Sequence, residues 1–150
     1  MKQLPFPRRI PFVEELGLEL WAFGEGQAEL QLALSEQHMN SYLVGHGGVL
    51  MTLLDVAMAH AARSVFGDTG PGVVTIEMKT SFMRAAEGRL RATGTLLHQT
   101  ATMAFTEGSV FNTSGQLCAH ATGTFKYIKA VPAADRTIKP LLAPNPDARP

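Results

Sequence analysis

Between Glu36 and Arg63 the chain carries one formal charge, Asp55. From Gly47 onward that stretch, GGVLMTLLDVAMAHAA, is rich in Leu, Met and Ala and lacks β-strand alternation, so it reads as a helix. Its apolar residues fall on every side, which predicts a helix buried all round rather than one resting on a surface. A lone carboxylate in such a helix is costly to desolvate unless it is paired or used. The rest of the chain must therefore surround an apolar rod, and Asp55 is the residue that needs a reason.

The flanking sequence supplies strands. Residues 17–23 and 27–34, separated by Gly24-Glu25-Gly26, have the pattern of a β-hairpin, with Leu30, Leu32 and Leu34 alternating against Glu29, Gln31 and Ala33. Residues 35–45 form a polar loop into the helix, which should end near residues 63–66, before the turn cluster Gly67-Asp68-Thr69-Gly70-Pro71-Gly72. Beyond it, Val74, Ile76, Met78, Thr80 and Phe82 alternate with Thr75, Glu77, Lys79, Ser81 and Met83. Residues 89–99 offer Leu90, Ala92 and Leu96 as inward positions, and residues 102–111 and 116–128 flank the tight turn Asn112-Thr113-Ser114-Gly115. The order β-β-α-β-β-β-β predicts an α+β domain in which one antiparallel sheet curls around the helix.

Of nine prolines, three lie in the first eleven residues and five between residue 131 and the end. Both ends are expected to be irregular, with a single domain over 1–150, a core of about 12–128 and a proline-rich tail at 131–150. Thirteen basic residues balance thirteen acidic ones without a basic run, which argues against nucleic-acid binding and an electrostatic membrane anchor. The one cysteine, Cys118, has no internal disulfide partner, and no secretory signal or run of about 18 apolar residues is present. The expectation is a soluble, cytoplasmic protein.

Two features carry chemistry. Gly47-Gly48 stands where loop becomes helix, and the first N–H groups of a helix have no intrahelical partner and sit at the positive end of its dipole. Such donors can polarise a carbonyl or hold an oxyanion; equally, the glycines could serve only tight packing. Asp55, in apolar surroundings, is suited to be a base or a nucleophile with a raised pKa, with Thr52 one turn earlier as a hydrogen-bond donor. A structural carboxylate is the plainer alternative. Gly47 and Asp55 are eight positions apart, roughly 12 Å along one helix. If both act on one bond, one of them must come from a second chain, as in an isologous dimer with antiparallel central helices. His60, five residues after Asp55, points elsewhere on the helix. Metal-ligand spacing, a P-loop, a dinucleotide fingerprint and a Gly-x-Ser-x-Gly elbow are absent.

Asn40, His46-Gly47-Gly48 and Asp55, at this spacing, resemble the pattern Asn-x-x-Gly-x-x-His-Gly-Gly-x-x-x-x-Leu-x-Asp of hotdog-fold acyl-CoA thioesterases of the phenylacetate-degradation (PaaI-like) type, within the 4-hydroxybenzoyl-CoA thioesterase superfamily. The segment Thr80-Ser81-Phe82-Met83-Arg84-Ala85-Ala86 is similar to that family's strand end of phenylalanine, aliphatic, arginine, proline and alanine. The likeness spans about residues 12–128. Leu43 departs from the pattern's first glycine and Ala85 from its proline. The resemblance implies a hotdog fold, a curved antiparallel sheet wrapped around one long helix.

It implies Asp55 as catalytic carboxylate, the Gly47 N–H as the group polarising the thioester carbonyl, and Asn40 as a holder of substrate or water. His46, Gly48, Thr75 and Arg84 become substrate-contacting positions, Thr75 as a hydroxyl that can orient water. Arg84, Arg89 and Arg91 could meet CoA phosphates. The expected activity is hydrolysis of an acyl- or aryl-CoA to free CoA and a carboxylic acid, without metal or cofactor, in a homodimer with shared active sites that assembles to a homotetramer. A hotdog hydratase or dehydratase, and a non-catalytic acyl-CoA-binding module, are the competing readings.

Overall fold

A computed structural model describes residues 1–129, so the proline-rich tail at 131–150 lies outside the described residues. In chain order it contains α1 (Pro11–Leu16), β1 (Glu19–Gly24), β2 (Gln27–Ala33), a 3-10 turn (Glu36–His38), α2 (Gly47–Ser64), β3 (Gly72–Phe82), β4 (Arg89–Gln99), β5 (Met103–Phe111) and β6 (Leu117–Ile128). The expected β-β-α-β-β-β-β order is present, with α1 added ahead of it. Proline patterning suggested an irregular N-terminus, yet α1 has its own signals: Pro11 at its first turn and Gly17 ending it at φ 79°, the usual asymmetry of helix ends.

The strands form one antiparallel sheet in the order β1-β2-β4-β5-β6-β3, and α2 contacts all six. The sheet closes on the helix through a core that includes Leu30, Leu53, Leu54, Met58, Leu90 and Phe125. Helix and sheet come unusually close at Gly94 of β4: a Cβ placed there would lie 2.3 Å from the Ala57 carbonyl oxygen and 2.8 Å from the Met58 nitrogen. Only glycine leaves room for the helix backbone at that point.

The sheet does not cover α2 completely. Gly48 and Met51 are exposed and Thr52, Asp55 and Ala59 half-buried, a set spaced at three to four residues and thus on one helix face. The expectation of a helix buried all round is corrected accordingly. Uniform hydrophobicity hid an open stripe, and Asp55 lies on it.

β3 holds a second correction. Its register with β6 shifts between Thr75 and Glu77, with Thr75 opposite Phe125 and Glu77 opposite Thr124. This β-bulge puts Ile76 out of pairing and reverses the alternation. Thr75 therefore shares the inner face with Met78, Thr80 and Phe82, whereas uniform alternation had set it against them. Among the described residues β3 is also an end strand, paired with β6 alone, and its Ile76 is 53% exposed.

Candidate active site

The loop before α2 is built by Asn40, whose Oδ1 accepts from the Tyr42 N–H at 2.9 Å and the Val44 N–H at 3.3 Å. Leu43, the departure from the family glycine, sits at φ 59° and is 72% exposed. This is left-handed backbone, which costs a non-glycine residue about 1–2 kcal/mol. The loop shape that glycine would supply is thus kept by a strained leucine. Gly45 and His46 anchor the loop end, their N–H groups donating to Ala86 O and His38 O at 2.8 Å each.

His46 is the N-cap of α2: its Nδ1 accepts from the Gly48 N–H at 2.9 Å. The Val49 and Leu50 N–H groups donate to the His46 carbonyl. Of the first-turn donors, Gly47 N–H alone has no partner among the described residues. Gly47 lines a cleft of about 360 Å³ together with Asn40, Leu50, Phe82, Arg84 and neighbouring residues. Arg84 is steadied there by donating from Nη1 to Leu117 O at 3.1 Å. Gly48, by contrast, lends its N–H to the cap and lines a different cleft.

That second cleft, of about 460 Å³, holds Asp55 among Ile10, Phe12, Met51, Val56 and Met78. The Thr75 hydroxyl donates to Asp55 Oδ1 at 2.6 Å. Burial is the larger influence on the carboxyl and raises its pKa above the ordinary aspartate value; the Thr75 hydrogen bond opposes this. Thr52, expected to donate to Asp55, instead donates to the Gly48 carbonyl at 2.9 Å, because a helical threonine reaches the carbonyl one turn back more readily than a side chain one turn ahead. The partner hydroxyl comes from β3 because the bulge turns Thr75 inward.

Two groups of sequence-predicted residues are therefore brought together. Asn40, Gly47 and Arg84 share one cleft; Gly48 and Asp55 share another, with Thr75 bonded to Asp55. His46 belongs to the helix cap. Ile10, Phe12 and Met51, which wall the Asp55 cleft, were not anticipated. The exposed apolar Phe12 beside Pro11 was the available signal. Arg89 and Arg91 are committed to the outer sheet surface, to Glu19 and Glu29, with Arg91 also over Phe111. His60 is buried between Phe6 and Phe23, with Nδ1 donating to Val56 O at 2.8 Å. Desolvation holds its pKa at about 4, and it is not bonded to Asp55, in keeping with its position on the helix. Cys118 is buried against Ala85 O.

Among the described residues, no helix is long and apolar enough to cross a membrane. The family model of the thioesterase superfamily matches residues 44–119, a stretch that includes α2, Asp55 and Thr75. A conserved protein from Pseudomonas aeruginosa has a solved structure that is 32% identical, covering 81% of this chain and 97% of that one, with a TM-score of 0.76. A point mutant of the phenylacetic acid degradation protein PaaI from Thermus thermophilus is 26% identical over 79% of this chain and 100% of that chain, with a TM-score of 0.71. A protein of Archaeoglobus fulgidus, provisionally named an esterase, is 33% identical over 73 residues, 49% of this chain and 45% of the archaeal protein's length. With its six-stranded antiparallel sheet curled around one long helix, this chain has the hotdog fold and belongs to the thioesterase superfamily.

Proposed function

We propose that the protein is an acyl-CoA thioesterase, cleaving the thioester of an acyl- or aryl-CoA to a carboxylic acid and free CoA. The observation that carries the reading is Asp55: the one charge of α2's apolar stretch, set in an open cleft and hydrogen-bonded by Thr75 at 2.6 Å. The unpartnered Gly47 N–H, at the positive end of the helix dipole, polarises the thioester carbonyl and receives the oxyanion. Asp55 either takes a proton from water as it attacks the acyl carbon or attacks that carbon itself, with water then hydrolysing the anhydride. In both routes the C–S bond breaks and the thiolate leaves, to be protonated as free CoA. A raised pKa makes the carboxylate a better proton acceptor.

Within one chain the two groups face different clefts, separated by roughly 12 Å of helix. The reading therefore requires a homodimer in which Asp55 acts with Gly47 of the partner subunit. The β3 edge, unpaired among the described residues, supports such an assembly, since a long edge strand with exposed apolar residues is a ready-made pairing surface. The test is release of free thiol from a panel of short, medium, long and aryl acyl-CoAs. Asp55→Ala should lower turnover by about a thousandfold or more. A variant that keeps full activity would overturn the mechanism, and a wild-type protein that binds acyl-CoA without turning it over would overturn the assignment as an enzyme.

A further inference from the structure

A separate cleft of about 280 Å³ opens between the N-terminal segment, the last turns of α2 and the start of β3. Arg8, Arg9, His60 and Arg63 line it and, among the described residues, no Asp or Glu does. Arg9 pairs with Glu14 at 3.1 Å. Among the described residues, the other two guanidiniums hydrogen-bond to neutral carbonyls of one turn: Arg8 Nη2 donates to Gly70 O at 3.2 Å, and Arg63 Nε to Pro71 O at 3.1 Å.

Arg63 is the anomaly. It is 6% exposed, its Nη2 is buried without a partner, and no carboxylate oxygen among the described residues comes within ion-pair distance of it. Desolvation and the like charge of Arg8 both press its pKa down, and Asp68 offsets only part of this. A guanidinium does not lose its proton under such pressure, so the cleft keeps a buried cation that has no ion pair among the described residues. His60 adds a buried Nε2, also without a partner.

We propose that this cleft binds a phosphate group between Arg8 and Arg63. Two planar guanidinium forks, neither ion-paired among the described residues, suit the several oxygens of a phosphate better than a compact halide. The phosphate has two possible sources, the phosphates of a CoA substrate or a separate phosphate-bearing effector. The cleft adjoins the one holding Asp55: Ile10 lines both, and the α2 wall continues from Val56 to Ala59. Arg63 follows Asp55 by eight residues, roughly 12 Å along the helix.

The experiment is calorimetric titration of the full chain with inorganic pyrophosphate and with adenosine 3′,5′-bisphosphate, using wild type, Arg8→Gln and Arg63→Gln. Saturable binding weakened at least tenfold in both variants is the expected result. Because Arg63 also holds Pro71, Arg8→Gln is the decisive variant should Arg63→Gln fail to fold. Unchanged affinity in Arg8→Gln, or no binding of either probe to wild type, overturns the proposal. Competition with acyl-CoA in the thiol-release assay would identify the phosphate as the substrate's own, whereas binding that leaves those kinetics unchanged would identify an effector; both outcomes support the site. Arginine-dependent binding in a protein that hydrolyses no acyl-CoA would leave the site standing and remove the thioesterase reading alone.

Discussion

At the scale of single residues, the proposed mechanism rests on Asp55, on the Thr75 hydroxyl bonded to it and on the Gly47 N–H, and the last two are open to changes that touch little else. Thr75→Val keeps the β-branched shape favoured in a strand and removes the donor to Asp55. That hydrogen bond stabilises the carboxylate, so its loss leaves desolvation unopposed and the pKa rises further. A carboxylate acting as base or nucleophile is lost as pH falls through its pKa. The acid limb of the rate–pH profile should therefore move to higher pH in Thr75→Val. A limb that stays in place would separate Thr75 from the chemistry.

Gly47→Pro is the complementary change. Gly47 is the first residue of α2, where proline is well tolerated, and His46 before it has the extended backbone, φ −63° and ψ 137°, that proline prefers in its predecessor. The substitution deletes one N–H that has no partner among the described residues. Thermal stability should hold within a few degrees, while turnover drops by about a hundredfold or more; an active Gly47→Pro enzyme would clear that N–H of any role.

The elements interact through features that carry no charge and little hydrophobicity. The bulge in β3 turns Thr75 from the outer to the inner face, and Gly94 lets α2 settle onto β4 at backbone contact. Gly94→Ala should destabilise the fold by about 2 kcal/mol or more, because the methyl meets main-chain atoms of a helix pinned by six strands and cannot be accommodated by a side-chain rotation. Thermal melting measures this directly, and a melting temperature equal to wild type would show that α2 can retreat from β4. Neither feature was legible beforehand. A glycine within a strand pattern signals a bulge or a close approach without saying of what, and nothing in the Val74 to Phe82 alternation marks where the register slips.

At the scale of the molecule, the proposed function makes each active site the joint property of two chains. Mixing variants tests this without a structure of the assembly. Asp55→Ala and Gly47→Pro should each be inactive as homodimers. Unfolded together and refolded, they form heterodimers with one site having both defects and one having neither. Activity should return to about a quarter of wild type, since random pairing makes half the dimers mixed and each has one of two sites intact. If each chain instead holds a complete site, the mixture stays as inactive as its components.

The apolar helix with its one carboxylate, the hairpins and the order of the elements were all determined by local pattern, and the spacing of Asn40, Gly47 and Asp55 carried the family with them. Those properties depend on residues near one another in sequence, where periodicity, capping and turn chemistry act. Tertiary structure alone decided which face of α2 stays open, that Thr75 rather than Thr52 reaches Asp55, and that Arg8 and Arg63 line one cleft with no acid among the described residues of its wall. Each of these brings together groups whose proximity depends on strand register, a bulge or a helix resting on a glycine. Such contacts are set by the packing of the whole sheet around the helix, which no local run of residues encodes.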